Sequence, residues 1–304
     1  MPLVATGEIV GPAVRAGLGA GAFNVIQIEH AQAIVAGAEA AGAPVILQIS
    51  ENAVRYHGAL AAIGRAAVEV AGAARVPVAV HLDHATDPDL VREAVGLGFG
   101  SVMFDASALD YEANVAATAE VAADCHASGV WVEAELGEVG GKDGREVGGK
   151  DGGEVGGKDG REVGGKDGVH APGARTDPAE AAAYVAATGV DALAVAVGTS
   201  HAMVVKEAVV DLGLVAALRA AVPVPLVLHG SSGVPEADLT RAVEAGLTKV
   251  NIATHLNVAY TRAIRDHLAA HPEAVDPRRY VAKARDAVAR EVARLLPLLR
   301  AVAV

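Results

Sequence analysis

Cysteine is almost absent from the 304 residues: a single one, Cys125, rules out an intrachain disulfide framework. It falls in an Ala-rich helical stretch, where a small buried residue is the reading in preference to a nucleophile. Aromatic side chains make up only 3%. A core must therefore be filled by Ala, Val and Leu, which suits close-packed helices and buried parallel strands rather than an aromatic-rich sandwich. Positive charge is also scarce, with 25 basic against 37 acidic residues and a net charge of −12. No basic block is interleaved with aromatics, which argues against a nucleic-acid surface. No apolar run approaches the ~20 residues of a membrane helix, and the opening MPLVATGEIVGP lacks the basic start and apolar centre of a signal peptide. The expectation is a cytoplasmic protein that binds neither nucleic acid nor membrane.

What the chain does have is apolar content, 52%, enough to bury a sizeable core, and 35 glycines. Thirteen of the glycines lie in residues 138–168, which read EVGGKDGR, EVGGKDGG, EVGGKDGR, EVGGKDG. Outside this repeat, short apolar runs alternate with longer Ala-rich amphipathic ones, the order of strand and helix in an α/β protein. Strands are expected over 22–25, 44–50, 77–84, 101–107, 131–137, 191–201, 225–232 and 249–255. Helices are expected near 29–42, 60–74, 88–96, 111–127, 178–187, 213–220, 235–245 and 255–270, with a closing helix near 277–300. Eight buried strands, each followed by a helix, predict a TIM (β/α)8 barrel. The extra C-terminal helix and the repeat loop after strand five are additions to it. An open doubly wound sheet is the alternative, but AFNVIQIEH at strand one lacks its glycine-rich turn. Residues 1–304 are read as one barrel domain with 138–168 inserted as a loop.

In such a barrel the chemistry lies at the carboxyl ends of the strands. Those ends carry Ser50; His81, Asp83 and His84; Asp105 and Ser107; Glu133 and Glu135; Ser200 and His201; His229; and Asn251, Thr254 and His255. Five of the eleven histidines fall here, while His30, His126, His267 and His271 fall in helical or terminal surface patterns. His84, His201 and His229 can converge on one mouth. Three imidazoles with an open position are the donor set of a catalytic zinc or a similar divalent ion. Glu133 and Glu135 share one strand face by the period of two; a cation between them, or pairing with Arg or Lys, would offset their burial. Asp83, next to His84, stands in a general acid/base position or else orients a histidine. The small residues Gly230, Ser231, Ser232 and Gly233, with Asn251, Ile252, Ala253 and Thr254, offer backbone N–H groups and hydroxyls where barrels often hold phosphate.

The motifs HLDHATDPDL, SVMFDAS, VEAELGEVGG, VAVGTSHAM, PLVLHGSSGVP and TKVNIAT resemble, in order and over nearly the whole chain, those of class II ketose-bisphosphate aldolases. The resemblance implies zinc held by His84, His201, His229 and Glu135, with Asp83 as the catalytic acid/base. It implies reversible cleavage of a ketose 1,6-bisphosphate, fructose first and tagatose next, to dihydroxyacetone phosphate and glyceraldehyde 3-phosphate. It also implies substrate and phosphate contacts from Ser50, Ala202, Gly230, Ser231, Ser232 and residues 251–254, a nearby monovalent cation, and a homo-oligomer of two or four chains. Relatives commonly have Gly at the positions of Ala202 and Asn52. The glutamate that many carry in the loop after strand five is matched by Asp143, with Asp151, Asp159 and Asp167 as equivalents in the later repeats. The period of eight with a single Asp differs from calcium-binding nonapeptide repeats, so the repeat reads as an extended lid. Lysine supply opposes a Schiff-base route. Of seven lysines, four are in the repeat, Lys206 and Lys283 lie outside strands, and Lys249 is expected at the start of strand eight, away from the mouth. A metal-dependent hydrolase on the same barrel and a catalytically silent companion subunit are the competing readings.

Overall fold

The computed structural model describes residues 2–136, 175–199 and 206–299. The repeat, with Asp143, Asp151, Asp159 and Asp167, lies outside them, as do His201 and Ala202.

Eight strands form a closed, all-parallel barrel in sequence order. They are β1 Ala20–Asn24, β2 Val45–Ser50, β3 Val78–Ala85, β4 Ser101–Phe104, β5 Trp131–Leu136, β6 Ala192–Val195, β7 Leu226–Leu228 and β8 Leu247–Ile252. Ala22 of β1 pairs with Ile46 on one side and with Asn251 on the other, which closes the ring. The helices are α1 Thr6–Ala16, α2 Ile28–Ala41, α3 Glu51–His57, α4 Leu60–Gly72, α5 Pro88–Gly96, α6 Tyr111–Ala127, α7 Pro178–Thr188, α8 Leu212–Ala221, α9 Glu236–Ala245, α10 Thr254–Ala270 and α11 Pro277–Leu298. The barrel and the added C-terminal helix agree with the expectation. The strands are shorter than their apolar runs, because 196–199 and 229–233 leave the ladder as loops.

Local chemistry explains the helix starts. Asp-Pro pairs open α5, α7 and α11: Asp87, Asp177 and Asp276 accept from the backbone N–H two residues on at 2.8, 2.9 and 3.0 Å, and each following proline occupies the first turn. Two helices escape the periodicity. α1 contains Gly7, Gly11 and Pro12, all poor formers. It exists because Ile9, Val10 and Ala13 plug the amino-terminal end of the barrel against Ala20, Ala22, Ile46 and Ala79. α3, at seven residues, is too short to show a period and is started by the Ser50 hydroxyl, which accepts from Ala53 N at 3.3 Å.

Between the strands and the outer helices lies the main core of Val, Leu, Ile and Ala. Cys125 is buried there, and burial pushes its thiol up to about 11, so it serves as packing as expected. Where α2 meets α11 the helices touch through Gly37: a Cβ there would lie 2.5 Å from Ala289 O and 2.7 Å from Val292 Cβ. Gly37→Ala therefore lowers stability by about 1–3 kcal/mol through overpacking, read as a lower denaturation midpoint at unchanged m-value. An unchanged or higher midpoint, the ordinary result of Gly→Ala in an unobstructed helix, would refute the contact.

Candidate active site

The interior of the barrel is filled by alternate residues of each strand. On β3, Val80 and Leu82 face the outer core while Ala79, His81 and Asp83 point inward, as the period of two requires. Strict alternation would then send His84 outward. It does not, because the β3–β4 register shifts between Leu82 and Ala85, and His84 has φ +51°, the sole non-glycine residue with positive φ among those described. A left-handed residue at a ladder irregularity re-aims its side chain. Asp83 and His84, adjacent in sequence, thus both reach the mouth.

Two histidines meet there. His84 Nε2 lies 2.9 Å from His229 Nδ1, with the rings edge to face and centroids 4.7 Å apart. Each ring is held from behind by a carboxylate: His84 Nδ1 contacts Asp105 Oδ2 at 2.8 Å, and His229 Nε2 contacts Glu133 Oε1 at 2.9 Å. Where these carboxylates are ionised they only accept, which puts protons on the outer nitrogens and leaves the inner nitrogens facing each other as lone pairs. Two lone pairs at hydrogen-bond distance require a proton or a cation between them. Glu135, fully buried on β5, brings Oε2 to 4.0 Å from His229 Nδ1. Donor atoms of His84, Asp105 and Glu135 lie within 4.8 Å of one another, and so do those of Asp83, His84 and His229.

The electrostatics agree with that need. Asp83, Asp105, Glu133 and Glu135 are all buried. Burial works against charging His84, yet Asp83, the Asp105 hydrogen bond and Glu135 outweigh it and hold its pKa up at about 9. Burial also raises Asp83 above the usual carboxylate range, opposed by His84 and Lys249. The cluster stabilises positive charge at the facing nitrogens, and imidazoles oriented by carboxylates are the donor chemistry of a divalent metal site. The residues fit the ion that the motifs imply.

Of the remaining expected residues, Ser50 ends β2 with its hydroxyl engaged as the α3 cap. Gly230 adopts φ +66° and starts a single 3-10 turn, Ser231–Gly233. The Ser231 hydroxyl donates to Asn251 O, and that of Ser232 accepts from His255 N at 3.2 Å. Ile252 is buried, and Ala253 and Thr254 start α10 beside this turn. Asn251 turns its side chain into the barrel, with Nδ2 at 3.4 Å from Asp83 Oδ1 and 3.1 Å from His229 Nε2. His201, Ala202 and Asp143 lie outside the described residues.

Four placements differ from the sequence expectation. Lys249 does not sit at the start of strand eight away from the site: β8 begins at Leu247, and the fully buried Lys249 ammonium lies 2.8 Å from Glu133 Oε2. His81 serves the barrel interior rather than the mouth, its Nδ1 on Ser101 Oγ at 2.7 Å, and Ser101 Oγ in turn on Thr6 Oγ1 at 2.6 Å. His30 is buried against Tyr260 rather than on the surface, because α11 and α10 cover that side of α2. His255 turns away to Glu291 of α11. Asp105, Glu133 and Gln48, whose Nε2 lies 3.4 Å from Asp83 Oδ2, carried no orienting role in the sequence reading. The available signal was a polar residue one or two strands over from a candidate ligand.

The comparisons with known proteins point one way. The family model described as fructose-bisphosphate aldolase class-II matches residues 4–302. The chain is 37% identical over 304 aligned residues to the fructose-bisphosphate aldolase of Thermus caldophilus, covering 92% of each chain. It is also 37% identical over 296 residues to the probable fructose-bisphosphate aldolase of Bacillus subtilis, covering 96% of this chain and 95% of that one. Among solved structures, the YdjI aldolase of Escherichia coli superposes with a TM-score of 0.81 at 29% identity, covering 98% of both chains. A putative fructose-1,6-biphosphate aldolase from Coccidioides immitis gives 0.79 at 26% identity, covering 97% and 96%.

Proposed function

Because this chain belongs to the class II fructose-bisphosphate aldolase family and is thus an aldolase, we propose that it cleaves fructose 1,6-bisphosphate, with tagatose 1,6-bisphosphate as second substrate, using zinc. The observation that carries the metal site is the pair of inner nitrogens, His84 Nε2 and His229 Nδ1, facing each other at 2.9 Å with a carboxylate behind each ring. His84, His229 and Glu135 would hold the ion, with His201 as the further ligand that the motif supplies. When bound, zinc supplies Lewis-acid polarisation of the ketone, which removes the need for a Schiff base.

The chain's own residues supply the rest. Asp83 takes the proton from the C4 hydroxyl as the C3–C4 bond breaks, releasing glyceraldehyde 3-phosphate, and returns it in the condensation direction. Burial helps here, since it raises the Asp83 carboxyl above its ordinary range and makes the carboxylate a stronger base. The three-carbon fragment keeps the electron pair and takes a proton at C3 from a loop carboxylic acid, Asp143 by its spacing from Glu135, which is left as the carboxylate. The phosphate rests on backbone N–H groups of the Gly230–Gly233 turn and the first turn of α10, whose 17 residues present a half-positive end. Ser50, Ala202 and Asn251 complete the substrate contacts, a monovalent cation lies beside the phosphate, and two or four chains assemble.

Steady-state cleavage by the zinc-loaded protein tests this reading. Triose phosphate is released from both bisphosphates, with the higher kcat/KM for fructose 1,6-bisphosphate. No release from either would sink the reading. A higher kcat/KM for tagatose 1,6-bisphosphate would reverse the substrate assignment.

A further inference from the structure

Beneath the facing histidines the barrel carries a charged group that the proposed reaction leaves unused. Lys249 has no exposed surface. Its Nζ lies 2.8 Å from Glu133 Oε2 and donates to Asn251 Oδ1 at 2.8 Å. Burying an ammonium is costly, and an apolar side chain of similar length would fill the same space without that cost, so packing alone does not account for it.

The consequence lies one hydrogen bond further on. His229 Nε2 has two neighbours with opposite requirements. Glu133 Oε1, at 2.9 Å, needs an N–H on Nε2. Asn251 Nδ2, at 3.1 Å, offers an N–H and needs a lone pair there. The two select opposite tautomers. With the proton on Nε2, Nδ1 shows a lone pair toward His84 and can ligate a metal; with the proton on Nδ1, that lone pair is gone. Lys249 touches both competitors. Its ammonium pairs with Glu133 at Oε2, which leaves Oε1 turned to His229. It also holds Asn251 by Oδ1, whose Nδ2 has an alternative acceptor in Asp83 Oδ1 at 3.4 Å.

We propose that Lys249 is a positioning residue that selects, through Glu133, the His229 tautomer able to bind a metal. This rests on the metal reading of the preceding subsection. Zinc affinity is measured by competition with a chromophoric chelator for the wild type, Lys249→Met, Glu133→Gln and the double variant, with folding followed by far-UV circular dichroism. Lys249→Met binds zinc roughly 10–100-fold more weakly, the range for lost partners of metal ligands. Glu133→Gln weakens binding comparably, because the amide turns its oxygen to Lys249 and its NH2 to His229. The double variant loses less than the product of the two single losses, since Lys249 reaches His229 through Glu133. Wild-type affinity in folded Lys249→Met, or losses that multiply in the double variant, would overturn the proposal.

Should Lys249→Met not fold, the metal-free wild type carries the test. Its imidazole 15N–1H spectrum, with His229 assigned by its loss in His229→Gln, shows the N–H on Nε2; an N–H on Nδ1 overturns the proposal. A wild type that takes up no zinc defeats the metal reading itself. A zinc-binding wild type with an unaffected Lys249→Met defeats only the role of Lys249.

Discussion

Stripping the protein of metal with a chelator lowers aldolase turnover about 10³-fold, and added zinc restores it. The figure corresponds to the several kcal/mol that a Lewis acid contributes to a developing oxyanion. The prediction is this large because the described residues offer no second route. A Schiff base needs an uncharged lysine open to substrate. Among the described residues Lys249 is buried in its ion pair with Glu133, Lys206 binds Glu236 at 2.6 Å on the surface, and Lys283 is exposed on α11. Borohydride added with substrate therefore leaves the mass of the protein unchanged. Zinc removal also lowers the melting temperature, because the facing nitrogens at 2.9 Å are stabilised by a bound cation; zinc at a thousand times its Kd adds about 4 kcal/mol to the folded state. Full activity in the chelated protein would refute the assignment of His84, His229 and Glu135.

Asp83→Asn lowers kcat by roughly 10²–10⁴-fold, the range for removing a positioned general acid/base, and leaves zinc affinity at the wild-type value. The second half is the sharper test. Donor atoms of Asp83, His84 and His229 lie within 4.8 Å of one another, so geometry also permits Asp83 as a ligand. A ligand would show itself as weaker zinc binding; an acid/base shows itself in kcat alone. Asn keeps the shape of the side chain between Gln48 and Asn251, which limits structural collapse as an explanation. Direct titration of both variant and wild type with zinc, beside their kinetics, separates the two roles.

Much of this is legible in the sequence. The barrel followed from buried apolar runs with a strand period and Ala-rich runs with a helical one, and the helix starts expected at 88, 178 and 277 fall on Asp-Pro pairs. Both signals are local, because backbone hydrogen bonding and capping involve residues a few positions apart. The candidate ligands were legible as polar residues at the ends of runs that should otherwise be apolar. α1 was not, since its glycines and proline speak against a helix and only the barrel floor beneath Ile9, Val10 and Ala13 overrides them. Lys249 was misplaced because a lysine near a strand start is ordinarily a solvated residue, and its partner Glu133 lies 116 positions away in sequence.

Composition, periodicity and motif order alone settled the class of fold, the family resemblance and which side chains could do chemistry, because each depends on residue type and short-range spacing. Which of those side chains meet, and in which state, was decided by the folded barrel. The shifted register of β3 with the left-handed His84 puts two adjacent residues on one site. The closure of β1 on β8 lets Asn251 reach Asp83 and His229. The buried chain from Lys249 through Glu133 to His229 exists because strands five, seven and eight point alternate residues into one desolvated interior. There a charge must find its partner across the barrel rather than along the chain.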